Sequence, residues 1–294
     1  MNYLLFHIGK LPNHFYTCVN NILSVDSQAK IYLATDKKIA IKGINVVDVN
    51  EFDCLIDKKE KILSTYRNTQ LEKNPLWYTS FLRIFALRVV AEHFGIKKFI
   101  HFDNDILIYE PFSTLEEYGL VKSNKINITE INRNNLVFGY SYIDNIQNLD
   151  FLESFFEKVL NDHKSFANNY NRGAPLNEMR VLKLAQNFKP DYFSILPSLP
   201  YESKFLFDPA SYGQFLNGTN TNRGNYILRR RSISIDHTIG KELKSKRVSV
   251  KFKDKRPIVY FDNKSYKLIN LHIHSKNLFK FVAEEYNTHV VELP

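Results

Sequence analysis

The stretch Lys98-Phe99-Ile100-His101-Phe102-Asp103-Asn104-Asp105-Ile106-Leu107-Ile108 decides the reading of this chain. An apolar run reaches two carboxylates one residue apart and then resumes. On extended backbone, residues i and i+2 project to the same side. Asp103 and Asp105 are therefore expected to face one point where a buried strand ends. Two acids held that close repel each other unless a cation or a donor-rich ligand lies between them. Hard divalent ions take oxygen ligands, and Mg²⁺ or Mn²⁺ commonly bridges protein carboxylates to phosphate oxygens. The stretch predicts a metal that holds a diphosphate.

The residues before it explain how such a strand end becomes a crevice. Tyr3 to Ile8 reads as an apolar strand, with a turn from Gly9 to Pro12. Asn13 to Leu23 follows as a helix that carries Phe15, Val19, Ile22 and Leu23 on one face. Lys30 to Ala34 and Ile44 to Val49 are further strands, and Trp77 to Phe94 is an amphipathic helix stopped by Gly95. Strands alternating with helices predict a Rossmann-like α/β fold, a mixed, mostly parallel sheet flanked by helices. Such sheets bind ligands beyond the carboxyl ends of their strands. Gly9, Asp36 and the aspartate pair all fall at those ends.

The second half is less regular. Leu136 to Tyr142 is strand-like, and Phe151 to Leu160 and Glu178 to Gln186 read as helices. Pro190 to Asn225 reads as a structured loop region, and a basic stretch runs from Arg229 to Arg256. A late apolar strand, Leu268 to Ile273, leads into the second chemical signal, Leu271-His272-Ile273-His274-Ser275-Lys276. His272, His274 and Lys276 share period-two spacing. A neutral imidazole is a good ligand for Mn²⁺, and a lysine on the same face would neutralise phosphate oxygens as a point charge. Standing alone, the segment would better suit a solvated edge strand with two surface histidines. Joined to an aspartate pair, it describes a metal–diphosphate site.

With these residues the chain resembles the GT-A glycosyltransferases, in particular bacterial and viral relatives that build polysaccharides. Phe102-Asp103-Asn104-Asp105-Ile106 is similar to their D-x-D motif, and Leu271 to Lys276 to their C-terminal metal and phosphate segment. Phe207-Asp208-Pro209-Ala210-Ser211-Tyr212-Gly213-Gln214-Phe215-Leu216-Asn217-Gly218 resembles the same group. The resemblance implies one GT-A domain over 1–294, with a nucleotide-binding half at 1–110 and an acceptor half at 111–294. It implies a nucleotide-sugar donor, UDP-sugar favoured, held through Mn²⁺ or Mg²⁺, and a glycan or lipid-linked acceptor. Asp105 would be the direct metal ligand, and Asp103 a ligand or a contact to ribose or metal-bound water. His274 or His272 would complete the metal site, and the spacing does not separate them. Ile8, Gly9 and Asp36 would lie near the base. Arg83 resembles a basic residue near the donor, or else is an exposed helix cation.

An inverting reaction needs a carboxylate to deprotonate the acceptor hydroxyl. Glu178, at a helix start after Gly173-Ala174-Pro175, is the candidate base, and Asp208 is the second. A first-turn glutamate that merely complements the helix dipole is the plainer account of Glu178. In a retaining reaction these acids would bind sugar hydroxyls instead.

Composition is compatible with this. The 294 residues are 44% hydrophobic, enough for a substantial core. The 17 Tyr and 23 Phe supply flat faces that pack cores and stack on sugars or bases. A net charge of +9 favours anionic partners: nucleotides, nucleic acid or an acidic membrane surface. Nucleic-acid binding without catalysis is one competing reading, but no helix-turn-helix, zinc finger or aromatic RNA-binding motif is visible. A D-x-D phosphatase is another, though such enzymes generally carry the pair on an early strand. Cys18 and Cys54 form no C-x-x-C pattern, and no apolar run reaches membrane-span length. The N-terminus reads as a buried strand rather than a signal sequence. A cytoplasmic protein, free or peripheral at the inner face of an anionic membrane, is expected.

Overall fold

Alternation along the first strand, β1 (Asn2–His7), sets up the layers. Tyr3 and Leu5 join one apolar cluster, while Leu4 and Phe6 join another on the opposite face, as a period-two side-chain repeat requires. A strand buried on both faces belongs inside a sheet covered by helices. The computed structural model, which describes residues 1–217 and 233–282, has that arrangement. After β1 come α1 (Asn13–Val25), β2 (Lys30–Thr35), β3 (Ile44–Asp48), α2 (Asp53–Tyr66), α3 (Pro75–His93), β4 (Phe99–His101), β5 (Ile106–Ile108) and α4 (Phe112–Glu117). The second half adds β6 (Ile126–Asn132), β7 (Asn135–Ile143), α5 (Asn148–Asn161), α6 (His163–Asn171), α7 (Glu178–Phe188), β8 (Phe193–Ile195) and β9 (Phe205–Leu206). Then follow α8 (Ser211–Asn217), α9 (Gly240–Lys244), β10 (Val248–Lys253), β11 (Arg256–Phe261), β12 (Lys264–Leu268) and β13 (Asn270–His272).

The main sheet has the order β3-β2-β1-β4-β7-β6-β8. Only the pairs made by β7 are antiparallel, so the sheet is mostly parallel, as the βαβ pattern predicts. The chain runs outward from β1 to β3 and then returns to place β4 on the other side of β1. That reversal opens a crevice beyond the carboxyl ends of β1 and β4, the usual ligand position in such sheets. Gly9 and Asp103 stand at these two ends.

The strand does end at the aspartate pair, but the pair sits on a turn rather than on extended backbone. β4 ends at His101, and a turn follows in which the Ile106 N–H donates to the Asp103 carbonyl at 3.2 Å. Asp and Asn stabilise turns through their short polar side chains, and Asp103-Asn104-Asp105 supplies three of them. β5 then leaves the main sheet and pairs antiparallel with β13, with His272 opposite Ile106. The late strand Leu268 to Ile273 is likewise broken. The Ile269 N–H turns to the Leu206 carbonyl at 2.8 Å, and the Ile273 N–H donates to the Asp105 carbonyl at 2.8 Å. The two motifs are thus neighbours through backbone hydrogen bonds, although about 170 residues of chain separate them.

Other differences are smaller. α3 begins two residues before Trp77, because the Asn74 side chain caps it at 3.1 Å and Pro75 takes the first turn. Cys54 lies on α2, a helix rather than the loop expected there. Within Pro190 to Asn225 the described part forms β8, β9 and α8. Arg229 to Arg231 lie outside the described residues, and the rest of the basic stretch folds into α9, β10 and β11. Among the described residues, no helix is long and apolar enough to cross a membrane.

Candidate metal and donor site

The turn after β4 brings two carboxylates to one imidazole. His272 Nε2 lies 3.1 Å from Asp105 Oδ1 and 3.8 Å from Asp103 Oδ2. Each of the three residues offers a ligand atom within 4.8 Å of the others. Lys276 Nζ pairs with the other Asp105 oxygen. Asp105 is 3% exposed, whereas the Asp103 side chain is 33% exposed and opens to the crevice. Burial alone would raise the Asp105 carboxyl, but the charges of His272 and Lys276 overrule it and hold it well below the usual carboxylate range. Burial works against a charged His272, and Asp105 overrules that too, so its imidazole is raised. His274 stands apart from this group. Its ring packs edge-on against His272 with centroids 4.4 Å apart, and burial pushes it down to about 3.

His272 is held from several sides. Its ring fits over Gly139 of β7, where an added Cβ would come within 3.0 Å of Nδ1. That Nδ1 is buried and has no hydrogen-bond partner. Its backbone is fixed by Asp208, from the stretch that begins at Phe207. Asp208 is fully buried, and its carboxylate accepts the N–H groups of Ala210 and Tyr212 on one oxygen and of Gly213 and His272 on the other, at 2.8–3.0 Å. Asn270 and Asp208 exchange two further hydrogen bonds. Gly213 lies so close that a Cβ there would stand 2.0 Å from the His272 carbonyl oxygen.

The end of β1 adjoins the aspartate turn. Ile8 is half-buried just past the strand, and Gly9 has φ +99° and donates its N–H to Asp36 at 2.7 Å. That φ is one that glycine adopts without steric cost. His7, not singled out in the sequence, accepts from the Asn104 side-chain amide through Nδ1 at 2.9 Å and so ties β1 to the aspartate turn. His14 at the start of α1 feels the charges of Lys276 and Asp105, and burial pushes it down to about 4. Neither histidine sits in a recognisable spacing. Only the proximity of strand ends in the folded sheet brings them to the site.

Arg83 resolves toward the site. It is 7% exposed rather than an exposed cation, and its guanidinium bridges Asp103 and Glu178, the latter at 2.8 Å. Glu178 begins α7 and is 2% exposed. Burial lifts its carboxyl to about 7 against the pull of Arg83. Neither Glu178 nor Asp208 presents a solvent-facing carboxylate: one is engaged by Arg83 and the other by four backbone N–H groups.

No protein-family profile matches the sequence, and no curated protein matches it. Solved structures do. The apo form of mouse xyloside xylosyltransferase 1 superposes on 92% of this chain and 97% of its own, with a TM-score of 0.50 and 11% identity. The fold is GT-A. The galactosyltransferase LgtC, solved in complex with donor and acceptor sugar analogs, matches 76% of this chain and 81% of its own at TM-score 0.46 and 11% identity. The glycosyltransferase GlyE of Streptococcus pneumoniae matches 66% and 44% at TM-score 0.40 and 15% identity. At these identities the likeness is one of fold. Within this GT-A frame, the D-x-D turn and the strand of His272 meet beside the switch point of the sheet.

Proposed function

We propose that this protein is a metal-dependent glycosyltransferase that moves a sugar from a nucleotide-diphosphate donor, UDP-sugar favoured, to a glycan or lipid-linked acceptor. The observation that carries this reading is the convergence of Asp103, Asp105, His272 and Lys276 at the carboxyl ends of β1 and β4. Two carboxylate oxygens and one imidazole nitrogen suit Mn²⁺, and Mg²⁺ less closely. Asp103, Asp105 and His272 would hold such an ion, and Asp208, Asn270 and Gly213 keep His272 in place. A divalent ion there would supply charge neutralisation for a diphosphate leaving group.

The remaining residues bind and orient. Lys276 would exchange its bond to Asp105 for the phosphate oxygens. Asp36 and the Gly9 backbone would meet the nucleoside end of the donor, with Ile8 beside them. Arg83 fixes the orientation of Asp103, and Glu178 balances the Arg83 charge in a buried setting. The buried Arg83 pair supports a positioning role for Glu178 over that of an acceptor base. Asp208 likewise suits positioning, since each of its oxygens is already taken twice. His274, packed edge-on against His272, supports the ligand ring.

A screen of nucleotide sugars for Mn²⁺-stimulated hydrolysis tests the reading. It predicts turnover of at least one nucleotide sugar, lost on chelation and in Asp105→Ala. No turnover across UDP-, GDP-, CMP- and dTDP-sugars would contradict it.

A further inference from the structure

A second cavity, about 560 Å³, lies outside the metal site. Its size is within the range of small-ligand pockets. Arg133, Arg172 and Arg180 line it together with Asn134, Tyr170 and Asn177, and no Asp or Glu does. Among the described residues none of the three arginines has an ion-pair partner. Arg180 is preset by neutral groups only: NH1 donates to the Asn134 carbonyl and side chain at 3.1 and 3.0 Å, and NH2 to the Tyr170 carbonyl at 2.8 Å. Its Nε is buried without a partner. Arg133 and Arg172 are exposed and line the same cavity. The amino end of α7 adds positive potential, since the cavity includes its cap, Asn177. A fixed arginine flanked by two more, with no carboxylate to balance them, fits a carboxylate or phosphate, which arginine binds through paired N–H donors.

Its position gives the anion a role. β6 runs in the same direction as β4, because both are antiparallel to β7. The turn Arg133–Asn134 at the carboxyl end of β6 therefore lies at the same end of the sheet as the aspartate turn. Asn177 adjoins Glu178, and Glu178 connects through Arg83 to Asp103. One ion-pair chain separates the cavity from the metal-site acids. We propose that this cavity receives an anionic group, a carboxylate or a phosphate, on the acceptor saccharide, so that the acceptor is an acidic sugar. The word acceptor rests on the transferase reading above, while the anion site stands on its own residues.

The test is calorimetry in metal-free, chelator-containing buffer with methyl β-glucuronide, glucose 6-phosphate and neutral methyl β-glucoside. The same samples are then titrated with UDP and Mn²⁺. At least one charged probe should bind and the neutral one should not. The double variant Arg133→Ala/Arg172→Ala should weaken the charged probe by about tenfold or more, with thermal unfolding and UDP–Mn²⁺ affinity unchanged. Preference for the glucuronide assigns a uronate, and preference for the phosphate assigns a phosphosugar. Binding of neither charged probe, equal binding of the neutral glucoside, or wild-type affinity in the double variant would overturn the site. If the charged probes bind but UDP–Mn²⁺ does not, the anion site stands and its assignment to an acceptor falls.

Discussion

Glu178 shows how one residue's surroundings choose between two kinds of chemistry. As an acceptor base it would need to reach a hydroxyl. Here it is 2% exposed and bonded to Arg83, which also holds Asp103. A carboxylate that offsets the Arg83 charge leaves Asp103 able to serve a cation. In Glu178→Gln the side chain keeps its shape and its hydrogen bond but loses that charge. Arg83 then bonds Asp103 more tightly and competes with the metal. We expect Mn²⁺-dependent UDP affinity to fall about tenfold, the equivalent of about 1.4 kcal/mol. Unchanged affinity with a loss of transfer of about 10²-fold would instead identify a base. The sequence made Glu178 visible as a helix-start acid, but it could not show the buried arginine that occupies it. The same is true of Asp208. Its motif was legible, whereas its four backbone hydrogen bonds exist only in the folded chain.

At the scale of elements, the site depends on how closely α8 approaches β13. Gly213→Ala would put a methyl group 2.0 Å from the His272 carbonyl. No side-chain rotation relieves a clash with backbone, so the strand or the helix must shift. We expect a stability loss of about 1–3 kcal/mol, the usual range for overpacking, measured by chemical denaturation, with Mn²⁺ affinity reduced because His272 moves with its strand. Normal stability and metal affinity would show that this contact yields freely. A second element-scale effect lies between α3 and α5. Burial raises the Glu153 carboxyl to about 7, against the pull of Arg88, and Asp150 and Glu157 add to the rise. Its folded pKa is above its unfolded value of 4.5, so the folded state holds more protons across that interval. Stability therefore falls as pH rises from about 4.5 to about 7. Glu153→Gln should flatten the unfolding midpoint over that interval and raise it above pH 7. A midpoint with the wild-type pH dependence would contradict this.

The whole molecule explains why the sequence revealed so much of the frame and less of the site's detail. β1, β2 and β3 carry local apolar runs, and α1 and α3 carry a helical repeat or a capped start, so the parallel half of the sheet was legible. The turn at Asp103 to Asp105 was not. An aspartate pair after apolar residues reads the same whether the strand continues or turns, and the choice is made by β13, which draws β5 out of the main sheet. The separation of His272 from His274 was hidden for the same reason: two histidines at period two look equivalent until the fold sets the His272 ring over Gly139 and beside the acids. His7 and His14 come to the site through topology alone. In the proposed function these strand ends hold a metal-bound nucleotide diphosphate. Calorimetric titration of UDP with and without Mn²⁺, on the wild type and on Asp105→Ala, tests it most directly. UDP should bind the wild type only with Mn²⁺ and should not bind Asp105→Ala under either condition. Equal affinity with and without the metal, or full Mn²⁺-dependent binding by Asp105→Ala, would contradict it.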